Sequence, residues 1–370
     1  MRLGLWVGPA LAAALCVPAL AQTPAPQALV QHTFEDTDHG WTAMGATARV
    51  SLTQAAGQAH SGKSALKFEY EVKKGDVSLA LVPVPGGLPA ATRSLRFWIK
   101  SDYASALIVV LQEQEARYIA PFFAPANVWQ EVHLGADDFS LSDGENDPKD
   151  PNNKLDLDQV VAVGLADMGQ IFVQGDPEMA AKILGIKPGP HTLFLDDVTL
   201  SSQPIAEIAG PDIVLDSFAR PQLLWMPLGG CAATVVTDKP IAGKGLKLDY
   251  KQVTGTPAGA MRAIRAGKLA GAVRLKVTMA SAKDAKVAVI IEQLGGGKFN
   301  TMADLTGGGE AKELDLPFSA FSPSDDTKDP GAKLTPEKIK SILLIDLAAL
   351  MPGADQVNTL WLARLRGVRQ

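Results

Sequence analysis

The 370-residue chain carries 35 Lys and Arg against 40 Asp and Glu, a formal charge of −5, and 46% of it is hydrophobic. A mildly acidic sequence without long basic runs is a poor nucleic-acid binder. Its 2 cysteines exclude a disulfide-stapled scaffold, and its length points to two domains rather than one.

Arg2 supplies a positive start, Leu3 to Leu20 form a short apolar run, and Ala19-Leu20-Ala21 offers the small-x-small pattern of a signal-peptidase site. Residues 1–21 are therefore expected to be a signal peptide cleaved before Gln22, with export to the periplasm or the extracellular space. Pro9 and Pro18 leave the run too short and broken for a stable anchor, and Leu15 is a poor neighbour for lipidation of Cys16. Cys231 is then alone, and no intramolecular disulfide can form. Residues 22–29 read as a flexible leader, and no later stretch is apolar for long enough to cross a bilayer.

Five blocks recur in the same order in the two halves. His60 to Tyr70 (HSGKSALKFEY) returns as Ile241 to Tyr250 (IAGKGLKLDY), and Ser94 to Asp102 more weakly as Ala272 to Ala280. Trp129 to Ser140 returns as Ala311 to Ser322, Asp147 to Asp156 as Asp326 to Thr335, and His191 to Leu200 as Asn358 to Gly367. The chain is read as a first domain over 30–202, a linker over 203–211 and a second, diverged domain over 212–370.

Leu95, Phe97 and Ile99 alternate with Arg96, Trp98 and Lys100, the period of a half-buried strand, and Val273 to Met279 repeats the pattern. Ala106 to Leu111 and Val287 to Ile291 are short and β-branched, as central strands are. Pro85-Gly86-Gly87 and Gly295-Gly296-Gly297 are among the turns between such runs. The expectation is an all-β chain of two tandem antiparallel β-sandwich domains. Two helical pieces are predicted, Pro177 to Leu184 and Pro336 to Lys340 after Thr335.

Phe34-Glu35-Asp36 with Gly40-Trp41, then HSGKSALK, LRFWIKSD, Trp129-x-x-Val132 ending in Phe139, and FLDDVTL together resemble the galactose-binding-like jelly-roll superfamily. Its nearest branches are the family 11 carbohydrate-binding modules and the complex I intermediate-associated protein 30 domain. The resemblance spans most of 30–202, and the second half keeps only part of it. It implies jelly-roll domains and, in the first domain only, a structural calcium ion. The matching positions are Glu35, the Ser61-Gly62-Lys63 turn and Asp196 with Asp197. Asp196 shares strand parity with Phe194, Val198 and Leu200 and is expected to point inward, where Lys63 or a backbone donor could satisfy it instead of an ion. Asp216 is placed where Glu35 would be, Ala363 and Arg364 replace the aspartates, and an Arg364–Asp216 ion pair is expected in place of the ion.

A glycan would need rings backed by polar groups. Arg96, Trp98 and Lys100 share a strand face, and Gln112, Arg117 and Tyr118 in the next strand-loop region are read as joining it. The structural alternative is a Trp98 that packs under a loop. Lys276 is read as the repeat's counterpart of Trp98. The acidic run Asp143, Glu145, Asp147 and Asp150 resembles a calcium loop, but Pro148 and Lys154 stand where Gly and Glu are needed, so it reads as a solvated loop.

No zinc-protease, nucleophile-elbow or phosphate-loop pattern is present. Asp137-Asp138 is a poor catalytic dyad, since neighbours on a strand face opposite ways. The expectation is a non-catalytic exported protein that binds carbohydrate or an envelope polymer through its first domain. The alternative is a structural or assembly subunit that docks on another envelope protein, with the insertion Gln170 to Pro190 as its surface.

Overall fold

A computed structural model of the chain describes residues 28–369 apart from 115, 143, 145, 146, 148, 207, 209, 238, 330, 332 and 351–355. The expected signal peptide, most of the leader, and Asp143, Glu145 and Pro148 of the acidic run lie outside the described residues. Among the described residues no helix is long and apolar enough to cross a membrane.

The strands form four antiparallel sheets, two per sandwich. In the first domain the front sheet runs Arg49–Thr53, Ala65–Val72, Gly189–Ser201, Ser94–Ser101, Gln130–Gly135, with Ala28–His32 also paired to Gly189–Ser201. The back sheet runs Ser140–Leu141, Ala116–Ala124, Ser105–Glu113, Val160–Asp167, Leu79–Pro83, Thr42–Met44. The second domain repeats both orders strand for strand. Its front sheet is Ala232–Val236, Gly245–Lys251, Val357–Val368, Arg274–Ser281, Lys312–Pro317, with Ile213–Asp216 on Val357–Val368. Its back sheet is Ser322–Pro323, Lys298–Leu305, Ala285–Gln293, Ile339–Asp346, Ala258–Ala263, Trp225–Leu228. The chain is two tandem antiparallel β-sandwiches of one topology. His60 to Tyr70 and Ile241 to Tyr250 lead into equivalent strands, so the duplication holds in space.

Alternation builds each core. Leu66, Phe68 and Tyr70 meet Leu95, Phe97, Ile99, Leu193 and Leu195 from the front and Leu107, Val109 and Leu111 from the back. Leu246, Leu248, Leu275, Val277, Val287, Val289 and Ile342 do the same in the second domain. Each buried branched side chain contributes about 1.5–3 kcal/mol. Phe34 and Phe218 adopt φ of 60° and 56°, which is costly for a bulky side chain, and both rings are buried. Each copy also ties a Trp to the strand before it, Trp41 Nε1 donating to His32 Nδ1 at 3.1 Å and Trp225 Nε1 to Asp216 Oδ2 at 3.0 Å. Asp216 therefore corresponds to His32, two residues before the strained phenylalanine, and not to Glu35.

Pro177–Leu184 is helical as predicted, with Asp176 capping the Glu178 and Met179 amides at 3.0 and 3.1 Å. At the other predicted helix only Pro336–Lys338 forms a turn, because the β-rich run Ile339–Asp346 is drawn into the back sheet. The insertion Gln170 to Pro190 is absorbed by the fold rather than left free. Gln170 is buried and bonds both backbone groups of Ser78, Val173, Ala180 and Ile186 join the first core, and Ile183 O accepts from Gly229 N of the second domain.

The domains interlock at a second point. Phe123, at the end of a first-domain strand, packs in the second core, and its amide donates to Leu223 O at 2.7 Å. The Gln222 side chain bonds both backbone groups of His133, at 3.2 and 2.7 Å.

Candidate functional site

On the outer surface of the first front sheet, Trp98 pairs across with Glu131 on one side and Asp196 on the other. The same face carries Arg96, Lys100 and Phe194. The loop that precedes Ala65–Val72 folds over it, and His60 stacks on Trp98 with ring centroids 3.7 Å apart and planes 11° off parallel. Trp129 meets His60 edge-on at 5.8 Å. Lys100 Nζ sits 5.5 Å from the Trp129 ring and 5.2 Å from Phe194, and it donates to Gly57 O in the covering loop. Arg96 pairs with Glu131, and the Trp129 indole N–H has no partner among the described residues. Trp98 is half-buried under this loop, outside the core.

The parity expected for Asp196 fails at a bulge. Between Asp196 and Thr199 the register with Ser94–Ser101 shifts and Asp197 turns to φ 52°, so Val198 and Leu200 return to the core face. Asp196 lies on the outer face beside Trp98, yet it is fully buried because the loop closes over it. Asp196 Oδ2 accepts the His60 and Ser61 amides at 2.9 and 3.1 Å, and Oδ1 accepts that of Asp197 at 2.8 Å. Burial holds its carboxyl above the usual range, against the pull of these donors. Asp197 meets His60 Nδ1 and the Ser61 hydroxyl, each at 3.0 Å. Glu35 accepts the amides of Lys63 at 3.0 and 3.1 Å and of Ser64 at 3.3 Å.

Glu35, Ser61, Gly62, Lys63, Asp196 and Asp197 thus do come together, with backbone N–H groups on the Glu35 and Asp196 carboxylates. Asp196 and Glu35 each accept backbone N–H groups, while Asp197 is met by the His60 ring and the Ser61 hydroxyl. Among the described residues no cluster of three or more His, Cys, Asp or Glu is placed to hold a metal.

Gln112, Arg117 and Tyr118 do not join Trp98. They belong to the back sheet, on the far side of the core from the Trp98 face. Gln112 bonds the carbonyls of Gln114 and Ala116, and Arg117 is exposed and pairs with Asp147 at 3.5 Å. Tyr118 is a core residue whose hydroxyl donates to Asp150 and holds that carboxyl below the usual range. Strand neighbours in sequence became opposite layers in space, because the turn after Ser94–Ser101 crosses from one sheet to the other.

The register also reassigns the second domain. Thr278, not Lys276, stands in Trp98's place, Lys276 stands in that of Arg96, and Ala280 in that of Lys100. The repeated block sets Ile241 against His60. Arg364 is exposed, and Asp216 pairs with Arg262 at 3.5 Å instead. Asp137-Asp138 closes a single turn at Ala136–Asp138 and is spent on cations of the second domain. Cys231 is buried, which pushes its thiol up to about 12 and leaves it inert at neutral pH.

One polar pair was missed by sequence reasoning. Asp167 accepts from Tyr70 at 2.8 Å and from Tyr103, and Asp346 accepts from Tyr250 at 2.7 Å. Both aspartates end an apolar run, Val160–Asp167 and Ile339–Asp346, a sixth repeated block visible in the sequence.

No protein-family model and no curated protein matches the chain. Its structure is similar to the family 11 carbohydrate-binding module from Clostridium thermocellum in complex with a β-1,3-1,4-mixed-linked tetrasaccharide. The identity is 16% over 44% of this chain and 98% of that one, with a TM-score of 0.35. It is also similar to the tandem pair of family 22 modules at the N-terminus of Xyn10C from Paenibacillus barcinonensis, at 13% identity over 95% of this chain and 100% of that one, TM-score 0.31. A family 61 module in complex with β-1,4-galactotriose matches at 13% identity over 45% and 92%, TM-score 0.29.

Proposed function

We propose that the chain is an exported, non-catalytic binding protein that holds carbohydrate or an envelope polymer on the front face of its first domain. Trp98, Trp129 and His60 supply rings for stacking, and Arg96 and Lys100 supply cations. The observation that supports this reading is asymmetry between two copies of one frame. The second sandwich stands with Ile241, Thr278 and Ala280 where the first has His60, Trp98 and Lys100, so the fold does not need the cluster. A half-buried ring contributes about 2–3 kcal/mol to stability, from roughly 100 Å² of buried surface. Trp98→Ala should therefore lower the melting temperature moderately. It should also abolish retention in affinity electrophoresis on mixed-linkage β-glucan, xylan or galactan. A wild-type chain that is retained on no polysaccharide of such a panel would sink the reading.

The alternative, a subunit docking on another envelope protein, is favoured by Ile171 and Met179, which stay 48% and 51% exposed on the insertion. Capture of an envelope protein that is lost in Met179→Glu, with no glycan retention, would select it. Calcium at Glu35, Ser61–Lys63, Asp196 and Asp197 is a separate proposal, in which the ion displaces the His60 and Lys63 N–H donors. Calcium found by elemental analysis, with a melting temperature that falls on chelation, supports it; finding none removes it.

A further inference from the structure

A cavity of about 470 Å³ opens between the two domains and the segment that joins them. That size is within the range of small-ligand sites. Five cations line it, Arg220, Arg262, Arg265, Lys268 and Arg369, and the anions on its wall are Asp137, Asp138, Asp212 and Asp216. Asp212 is claimed by Arg366 from outside the lining. Asp138 holds Arg220 at 2.6 Å, Asp137 holds Arg265 at 2.9 Å and Lys268 at 3.7 Å, and Asp216 holds Arg262 at 3.5 Å. Three aspartates thus hold four of the five cations, in a chain that is acidic overall.

Of the guanidiniums, one has a nitrogen without a partner that is itself closed off from the cleft, and another stands free on its wall. Arg262 is nine-tenths buried, and its Nε has no partner although its other nitrogens reach Leu215 O and Asp216. Arg369 is exposed and has no partner among the described residues. Guanidinium forks match carboxylates in geometry and charge. Ile208, Val214 and Ile264 add apolar wall, the surface that the CH face of a sugar ring meets.

We infer that this interdomain cleft is a binding site for an acidic sugar, a uronic-acid carboxylate seated against Arg265 and Arg369. The inference rests on the carbohydrate-binding reading for its ligand class and on the cleft alone for its place. The two domains then share one ligand, which neither domain could hold by itself.

Titration calorimetry of the whole chain with tetragalacturonate tests it. The expected result is saturable binding of one ligand per chain that weakens at least tenfold in Arg369→Glu and in Arg265→Gln, both exposed positions that leave the buried Arg262 in place. Lys286→Glu, an exposed charge change on the second back sheet, should leave it unaltered, and so should Trp98→Ala. The proposal is overturned if tetragalacturonate does not bind or neutral β-1,4-galactotetraose binds as well. It is overturned also if only a sulfated tetrasaccharide binds, or if Lys286→Glu weakens binding as much as Arg369→Glu. Loss of binding in Trp98→Ala would move the acidic ligand to the front face and likewise overturn it. Failure of neutral-polysaccharide retention leaves this result standing, so the two readings fail separately.

Discussion

Asp346 is the residue whose removal tests the duplicated frame most directly. It is fully buried at the end of Ile339–Asp346 and accepts from Tyr250 OH at 2.7 Å, Gln252 Nε2 at 3.0 Å and Ala348 N at 2.9 Å. Asp346→Ala leaves the Tyr250 and Gln252 donors without an acceptor in a place water does not reach, since both residues are also buried. A buried donor left unpaired costs about 1–3 kcal/mol, and Ala348, only half-buried, costs less. The sum is roughly 3–5 kcal/mol, or on the order of 10 °C in the melting of a domain of this size. Differential scanning calorimetry of the whole chain should show the second-domain transition fall by that amount. Asp315→Ala is the control, since Asp315 is an exposed partner of Arg274 at 3.0 Å, and such pairs contribute about 0–1 kcal/mol. A melting temperature for Asp346→Ala no lower than that of the control would refute the reasoning. Tyr250→Phe should cost less, since Gln252 and Ala348 stay on the carboxylate.

His191 has both ring nitrogens against oxygens, Nδ1 at 3.2 Å from Asp102 and Nε2 at 2.6 Å from Lys187 O, an arrangement only the doubly protonated ring satisfies. Burial pushes its pKa down, but Asp102, the Lys187 carbonyl and Asp167 outweigh it and raise it above 6.5. The protonated ring therefore contributes stability that is complete below about pH 6.5 and fades as pH climbs through the folded pKa. His191→Gln should remove that share of the melting-temperature decline above neutral pH; an unaltered profile contradicts it. Gly62, at φ +60°, has no room for a Cβ, which would run into the Glu35 carboxylate. Gly62→Ala should cost about 1–3 kcal/mol in a urea melt, and a neutral effect would show that the turn adapts freely.

The period-two alternation of Leu95 to Lys100 was enough to place the front strand and its outward Trp98. Five repeated blocks were enough to give two domains of one topology. Pairing between distant strands is where sequence reasoning lost ground. A bulge at Asp197 reversed the parity of Asp196, because one extra residue turns every later side chain to the other face. Arg117 looked close to Trp98 along the chain but belongs to the opposite layer. Asp216 stands near the place of Glu35 in the repeated sequence, whereas its bond to Trp225 assigns it the role of His32. In each case local pattern gave the element, and a contact more than a strand away gave the neighbour.

Phe123 belongs to one half by sequence and to the other by packing. Separating the halves at 203–211 would open a ring-sized hole in the second core and strip Gln222 and Leu223 from the first. The halves cannot be traded like beads on a string. Any lineage or designer moving this module has to carry both sandwiches together and attach new parts outside them.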